Sequence, residues 1–253
     1  MNFLIFRELN DFLEIKKGLE QFNILLSHSE IFNIFPGPDL KFIQDKFRLL
    51  NTQDIIILTS KNSVISTSNY LKKNNLFWPQ NLNYIAVGKR TAEIFQELTN
   101  LEATYPSLYS SENLLELDIF NQLANKTHNI LILAGNNGRK LIYKTLKERF
   151  MCVSPLEVYN IKWNKDVIDF NQWKKHNYTH LVVTSLNQLK FLDQHCGASH
   201  KLWFNNCTIL LPSLRVKKVA IKMGFRECII INNISNKAII NKIIDIYNLS
   251  KWD

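Results

Sequence analysis

The feature that most limits the fold is a set of short, unbroken apolar runs, each followed by a segment with helical spacing. Phe3 to Phe6, Ile24 to Leu26, Ile55 to Leu58, Tyr84 to Val87, Ile130 to Leu133, Leu181 to Val183, Thr208 to Leu211 and Ile229 to Ile231 read as strands. They do not alternate with polar residues, as expected of strands covered on both faces. Helical periodicity fills Asp11 to Phe22 and Ser63 to Lys73, and opens again near Arg90, Arg139 and Asn187. Strands alternating with helices of about 10–15 residues predict an α/β fold of parallel sheets flanked by crossover helices.

A second constraint is an internal duplication with a period of about 125 residues. The segment IIILTSKNSVISTSNYL from Ile55 returns as HLVVTSLNQLKFLDQH from His180, so that Thr59-Ser60 matches Thr184-Ser185. YIAVGKRTAEIF from Tyr84 matches TILLPSLRVKKVA from Thr208, and the segment from Phe3 resembles the one from Ile130. Each of the latter is followed by a similar tail, SHSEIFNI from Ser27 and SPLEVYNI from Ser154. The order is therefore A-B-A′-B′, and the contiguous middle quarters can form one domain while the first completes a sheet with the fourth. That predicts two similar domains, residues 1–32 with 165–253 and residues 39–153. Residues 33–38 and 154–164 would be connecting strands, paired as a two-stranded ladder. Pro36-Gly37-Pro38 fits a boundary there. Ligands of open α/β sheets bind beyond the carboxyl ends of the strands, so the loops of interest begin at Arg7, Thr59, Gly88, Gly135, Thr184 and Pro212.

Composition removes several classes of function. The 253 residues are 46% hydrophobic, which supports a globular core. No apolar run approaches the roughly 18–20 residues of a membrane span. The first residues lack the features of a secretory signal, so a cytoplasmic protein is expected. Cys152, Cys196, Cys207 and Cys228 are widely spaced and read as free thiols in a reducing compartment. The 31 Lys and Arg exceed the 22 Asp and Glu, a formal charge of +9. The excess is scattered over amphipathic segments such as Arg139 to Arg149 and Arg215 to Lys222. That distribution fits solvated helix faces or a field for an anionic small molecule, and no motif for nucleic acid accompanies it. The six His lack metal-ligand spacing, and no G-x-S-x-G elbow occurs.

The two Thr-Ser loops end a strand and open a helix. Simple helix capping explains them, and so does an anion site built from hydroxyls and backbone N–H groups. Gly88-Lys89-Arg90-Thr91 and Gly135-Asn136-Asn137-Gly138-Arg139 also follow strands, but neither is a P-loop nor G-x-G-x-x-G. With Arg7, Lys89, Arg90, Arg139 and Arg215 near loop ends, the chain suggests a cleft for a ligand bearing several carboxylates or phosphates. An enzyme of this kind would work by binding and shaping its substrate.

The ordered set ILTSKNSV, YIAVGKRTAEIF, YSSENLLEL, ILILAGNNGRKLIYKTL, LEVYNIKW, VVTS and LLPSLRVKKVAIKMGF, running from Ile57 to Phe225, resembles the uroporphyrinogen-III synthase family. The resemblance implies two α/β domains joined by a two-stranded ladder, with the N-terminal segment completing the C-terminal domain. It implies conversion of the linear tetrapyrrole hydroxymethylbilane to uroporphyrinogen III, with loss of water and inversion of ring D through a spiro intermediate. No metal or organic cofactor is implied. By motif, Thr59, Ser60, Thr91, Thr184 and Ser185 would hold the substrate, and Tyr159 would assist water loss or else be a packed Tyr on the connecting strand. Arg7, Ser111, Arg139 and Ser213 are further binding candidates by position. The implied protein is a monomer without nucleic-acid or membrane partners, with room for a transient contact with the preceding enzyme, hydroxymethylbilane synthase. The competing reading is a non-catalytic two-domain protein that closes on an anionic small molecule, since fold alone does not fix function.

Overall fold

A computed structural model describes residues 1–107, 111–122, 128–136, 141–150, 152–231 and 234–249, with the backbone alone for Ser111 and Gln122. In chain order, the first elements are β1 (Asn2–Phe6), α1 (Leu9–Gly18), β2 (Leu25–His28) and β3 (Phe32–Pro36). A 3-10 turn (Pro38–Phe42) leads into α2 (Ile43–Arg48), β4 (Ile55–Leu58), α3 (Lys61–Lys73), β5 (Asn83–Ala86) and α4 (Lys89–Thr99). Then come α5 (Ser111–Leu115), α6 (Asp118–Gln122), β6 (Asn129–Gly135), α7 (Leu141–Arg149) and β7 (Cys152–Trp163). The chain continues through α8 (Phe170–Lys175), β8 (His180–Val183), α9 (Leu186–His195), α10 (Ala198–Asn206) and β9 (Thr208–Leu211). It ends with α11 (Leu214–Lys222), β10 (Cys228–Ile230) and α12 (Asn236–Leu249). None of the described helices is long and apolar enough to cross a membrane.

The chain divides into two compact units, residues 1–33 with 163–253 and residues 34–162. The division falls inside β3 and again inside β7. In the first unit the sheet runs β10-β9-β8-β1-β2 with every pairing parallel, so the N-terminal strand sits between strands from the two ends of the sequence. In the second unit the order is β3-β7-β6-β4-β5, and β4 pairs in parallel with β5 and β6. The two crossing strands are hydrogen-bonded neighbours, as the sequence pattern implied, and the pair is continuous with the sheet of the second unit. β7 is 12 residues long, enough to pair with β6 over its length while also carrying β3 at the sheet edge.

Burial on both faces explains the unbroken apolar runs. All four residues of β4 have no exposed surface. Ile56 and Leu58 join Val64, Leu71, Trp78 and Phe95 on one face, while Ile55 and Ile57 join Leu114, Phe120, Ile142 and Leu146 on the other. In the first unit Phe3 and Ile5 face Phe12, Ile15, Ile239 and Ile243 of α1 and α12. Phe6 meets Trp173, which with Phe170 begins an aromatic cluster continuing through Phe204 to Phe225. Burying one such side chain contributes about 1.5–3 kcal/mol.

Local differences from the sequence pattern have clear causes. α1 stops at Gly18, short of Phe22, where the N–H of Leu19 turns back to the Lys16 carbonyl and that of Glu20 to the Lys17 carbonyl. A Cβ at Gly18 would lie 2.5 Å from the Ile240 side chain, so α12 approaches α1 closely at that end. The strand expected at Ile24 to Leu26 is Leu25–His28, extended by parallel pairing of Ser27 and His28 with Leu4 and Ile5.

Two polar features at the amino ends of the sheets yield measurable consequences. Asp54 is buried, and its carboxylate accepts from the N–H of Asn51 (2.8 Å), the N–H of Asn129 (2.8 Å) and the Asn129 side-chain amide (2.9 Å). It thereby ties the start of β4 to the start of β6. Asp54→Ala, which strands these donors, is expected to cost about 3 kcal/mol in urea unfolding. An unchanged midpoint would show that water replaces the carboxylate without penalty. His180 stacks on Phe3 with ring centroids 4.5 Å apart, and burial lowers its pKa to about 4. The unfolded chain takes up this proton first, so its contribution is complete above pH 6.5 and is lost as pH falls toward 4. Unfolding midpoints measured across that window should flatten in His180→Gln relative to the parent protein.

Candidate functional site

The carboxyl ends of β4, β5 and β6 lie side by side. Leu58 pairs with Ala86 on one side and Leu133 on the other, and the Val87 N–H donates to the Leu58 carbonyl. The chain leaves β4 through Thr59, whose N–H and hydroxyl both donate to the Leu133 carbonyl, at 3.2 and 2.8 Å. Ser60 then caps α3. Its hydroxyl accepts from the Ser63 N–H at 3.2 Å while the Ser63 hydroxyl accepts from the Ser60 N–H at 3.3 Å, a reciprocal capping box.

Tyr159 reaches the same place from β7. The Ser60 hydroxyl donates to the Tyr159 phenol oxygen at 3.1 Å. Room for the ring comes from Gly135, its register partner across an irregularity at Ala134 and Gly135. A Cβ on Gly135 would stand 2.4 Å from two ring atoms of Tyr159. Beyond the irregularity Asn136 continues the ladder: its N–H donates to the Tyr159 carbonyl, and its side chain both accepts from the Ile161 N–H and donates to the Ile161 carbonyl. The structure therefore brings Thr59, Ser60 and Tyr159 together in the second unit. Thr91 is buried in the first turn of α4, with its N–H on the Gly88 carbonyl. Ser111 opens α5, but its side chain is outside the described residues, and so is Arg139.

In the first unit the matching loop is built differently. Ser185 caps α9 by accepting from the Gln188 N–H at 3.2 Å. Both the N–H and the hydroxyl of Thr184 donate to the Gln188 side-chain oxygen, at 2.8 and 3.1 Å. The Gln188 amide nitrogen donates to the Phe6 carbonyl at 3.1 Å, joining the ends of β1 and β8. Ser213 caps α11 by accepting from the Val216 N–H. Arg7 lies against Asp11, with one nitrogen 2.7 Å from the carboxylate and another donating to the Ile234 carbonyl at 2.9 Å. Its guanidinium is thus occupied within the unit. Lys89 and Arg90 are half-exposed and lean on Glu93 and Glu97 of their own helix.

Gln188 is the residue that sequence reasoning missed, and Gly135 was read there only as the start of a loop, not as the partner of Tyr159. A signal for the first was present in Ser185-x-x-Gln188, the spacing of a capping box. In the folded chain the amide passes over Ser185 and takes the N–H one residue earlier.

The chain matches the uroporphyrinogen-III synthase HemD family over residues 26–241. A uroporphyrinogen-III synthase from Proteus mirabilis is 37% identical over 133 residues, covering 52% of this chain and 66% of that protein. One from Escherichia coli K12 is 29% identical over 223 residues, covering 84% of this chain and 87% of the relative. A mutant uroporphyrinogen III synthase from the extremely thermophilic bacterium Thermus thermophilus superposes with a TM-score of 0.66 at 15% identity, covering 98% of this chain and all of that one. The synthetase from Helicobacter pylori 26695 gives 0.59 at 16% identity, with 97% of this chain and all of the other covered. Those two structures share the fold. The sequence match runs through both units, from β2 into α12, and the chain belongs to the uroporphyrinogen-III synthase family.

Proposed function

We propose that this protein is a uroporphyrinogen-III synthase, closing hydroxymethylbilane to uroporphyrinogen III with loss of water and inversion of ring D. The observation that carries the reading into chemistry is the Ser60–Tyr159 hydrogen bond over Gly135 at the carboxyl end of the second sheet. The Ser60–Tyr159 hydrogen bond holds the phenol at the Ser60 loop. We assign Tyr159 the donation of a proton to the departing hydroxyl of the substrate. Proton transfer to it releases water and leaves an electron-poor azafulvene, and the Ser60 hydrogen bond steadies the charge left on the phenol oxygen. Attack by the substituted carbon of ring D then gives the spiro intermediate, which fragments and recloses with the ring inverted, and the proton lost from the ring D α-carbon as the pyrrole re-forms returns to the Tyr159 phenolate. The net change is loss of one water.

Thr59, Ser60, Thr91, Ser111 and Arg139 of the second unit, with Arg7, Thr184, Ser185 and Ser213 of the first, are the proposed substrate-holding set. Of these, Arg7 is already held by Asp11 and the Ile234 carbonyl, so it would have to leave them to meet a carboxylate. In this reading the compact units are the two catalytic domains. The protein works as a monomer in the cytoplasm, where its four free thiols stay reduced. A transient contact with hydroxymethylbilane synthase delivers the substrate. A non-catalytic anion binder is not favoured, because the family match extends over residues 26–241.

The test is to generate hydroxymethylbilane in situ, add the protein, oxidise the product and separate type I from type III uroporphyrin. A protein-dependent shift to type III is expected, and type I alone from folded protein would sink the proposal. Tyr159→Phe should lower the rate of type III formation by about a hundredfold. Gly135→Ala, which pushes the ring from Ser60, should act in the same direction. Full activity in Tyr159→Phe would return that side chain to a packing role.

A further inference from the structure

At the two Thr-Ser loops the positions of the hydrogens are dictated by chemistry. A carbonyl only accepts, so the Thr59 hydroxyl, 2.8 Å from the Leu133 oxygen, spends its single hydrogen there. The Gln188 amide is fixed at both ends, because its nitrogen faces the Phe6 carbonyl and its oxygen faces the Thr184 N–H. The Thr184 hydroxyl can therefore only donate to that same oxygen. Each half-buried threonine turns its hydrogen inward and keeps only lone pairs to offer. Two unrelated acceptors, a main-chain carbonyl in one unit and a side-chain amide in the other, produce the same polarity.

We infer that Thr59 and Thr184 select hydrogen-bond donors, and that they read pyrrole N–H groups of the tetrapyrrole in place of its carboxylates. The inference rests on the synthase reading above and refines the part these two residues play in it. At neutral pH the substrate's eight carboxylates are acceptors only, and a carboxylate oxygen against a hydroxyl oxygen with no hydrogen to give is repelled. The donors on this substrate are its pyrrole N–H groups and the one hydroxymethyl group, which leaves as water. An acceptor-only hydroxyl, in either unit, is thus matched by the tetrapyrrole core, whereas the charged periphery needs N–H groups and cations. Gln188 is the positioning residue of this scheme in the first unit. It touches no substrate itself, yet it decides which way the Thr184 hydrogen points.

Uroporphyrinogen III and its oxidised form, uroporphyrin III, carry the same carboxylates, but oxidation turns part of the ring N–H donors into acceptors. Affinities for both, measured anaerobically on the whole protein, therefore isolate the contribution of the core nitrogens. Thr59→Val and Thr184→Val should each weaken uroporphyrinogen binding by about tenfold, the worth of one ordinary hydrogen bond, and change uroporphyrin binding little. Thr→Ser should restore the preference. Gln188→Met frees the Thr184 hydroxyl to donate, so it should strengthen uroporphyrin relative to uroporphyrinogen, a reversal that mere loosening of the loop would not produce. Should either valine variant fold poorly, the sign of the Gln188→Met effect decides the matter. Equal weakening of both ligands, or no change in either, would overturn the inference while type III formation by the parent protein keeps the synthase reading intact. A parent protein that makes only type I would end both.

Discussion

A parallel sheet covered on both faces leaves backbone groups along its carboxyl edge that no further strand can satisfy, and much of this molecule follows from how that edge is closed. In each unit the strand that leaves the core ends in Thr-Ser, and the two residues share the work. The Ser accepts an N–H from the first turn of the following helix, and the Thr fastens the loop to the neighbouring strand, directly in the second unit and through Gln188 in the first. Capping and ligand binding are therefore compatible at these loops. The atoms committed to closing the edge also set the polarity of what remains outside it.

The strands and the A-B-A′-B′ order were legible because they depend on periodicities that local sequence carries directly. The N-terminal strand lies between β8 and β2, as the quarter pattern implied. Shorter elements were not legible. α8 and α10 present few helical repeats, and their hydrophobic positions are aromatic residues, Phe170, Trp173 and Phe204, that meet only in the folded chain. The packing of Gly18 against Ile240, more than two hundred residues away, is likewise a contact that no local window contains.

The candidate site was half legible for the same reason. Residue type and position at a strand end pointed to Thr59, Ser60 and Thr184; the Ser60 cap and the Thr184–Gln188 bond lie within their own loops, whereas the Leu133 carbonyl that Thr59 reaches is 74 residues away. Tyr159 became a partner of Ser60 only through the register between β6 and β7 and the bare Cα of Gly135. The cations were read from position as a ring awaiting an anion. In the folded chain Arg7 is held by Asp11, and Lys89 and Arg90 lie beside acids one or two turns along α4. A positive charge near a loop end carries no information about the acid that already holds it.

The two copies of the Thr-Ser loop differ in how much of their arrangement heredity can alter. The acceptor for Thr59 is the main-chain oxygen of residue 133, which every amino acid supplies, so a single codon change at that position does not remove it. The acceptor for Thr184 is the side chain of Gln188, which a single codon change abolishes. The polarity of the first unit's loop is thus open to change by one substitution at residue 188, whereas that of the second unit's loop is fixed by the backbone itself.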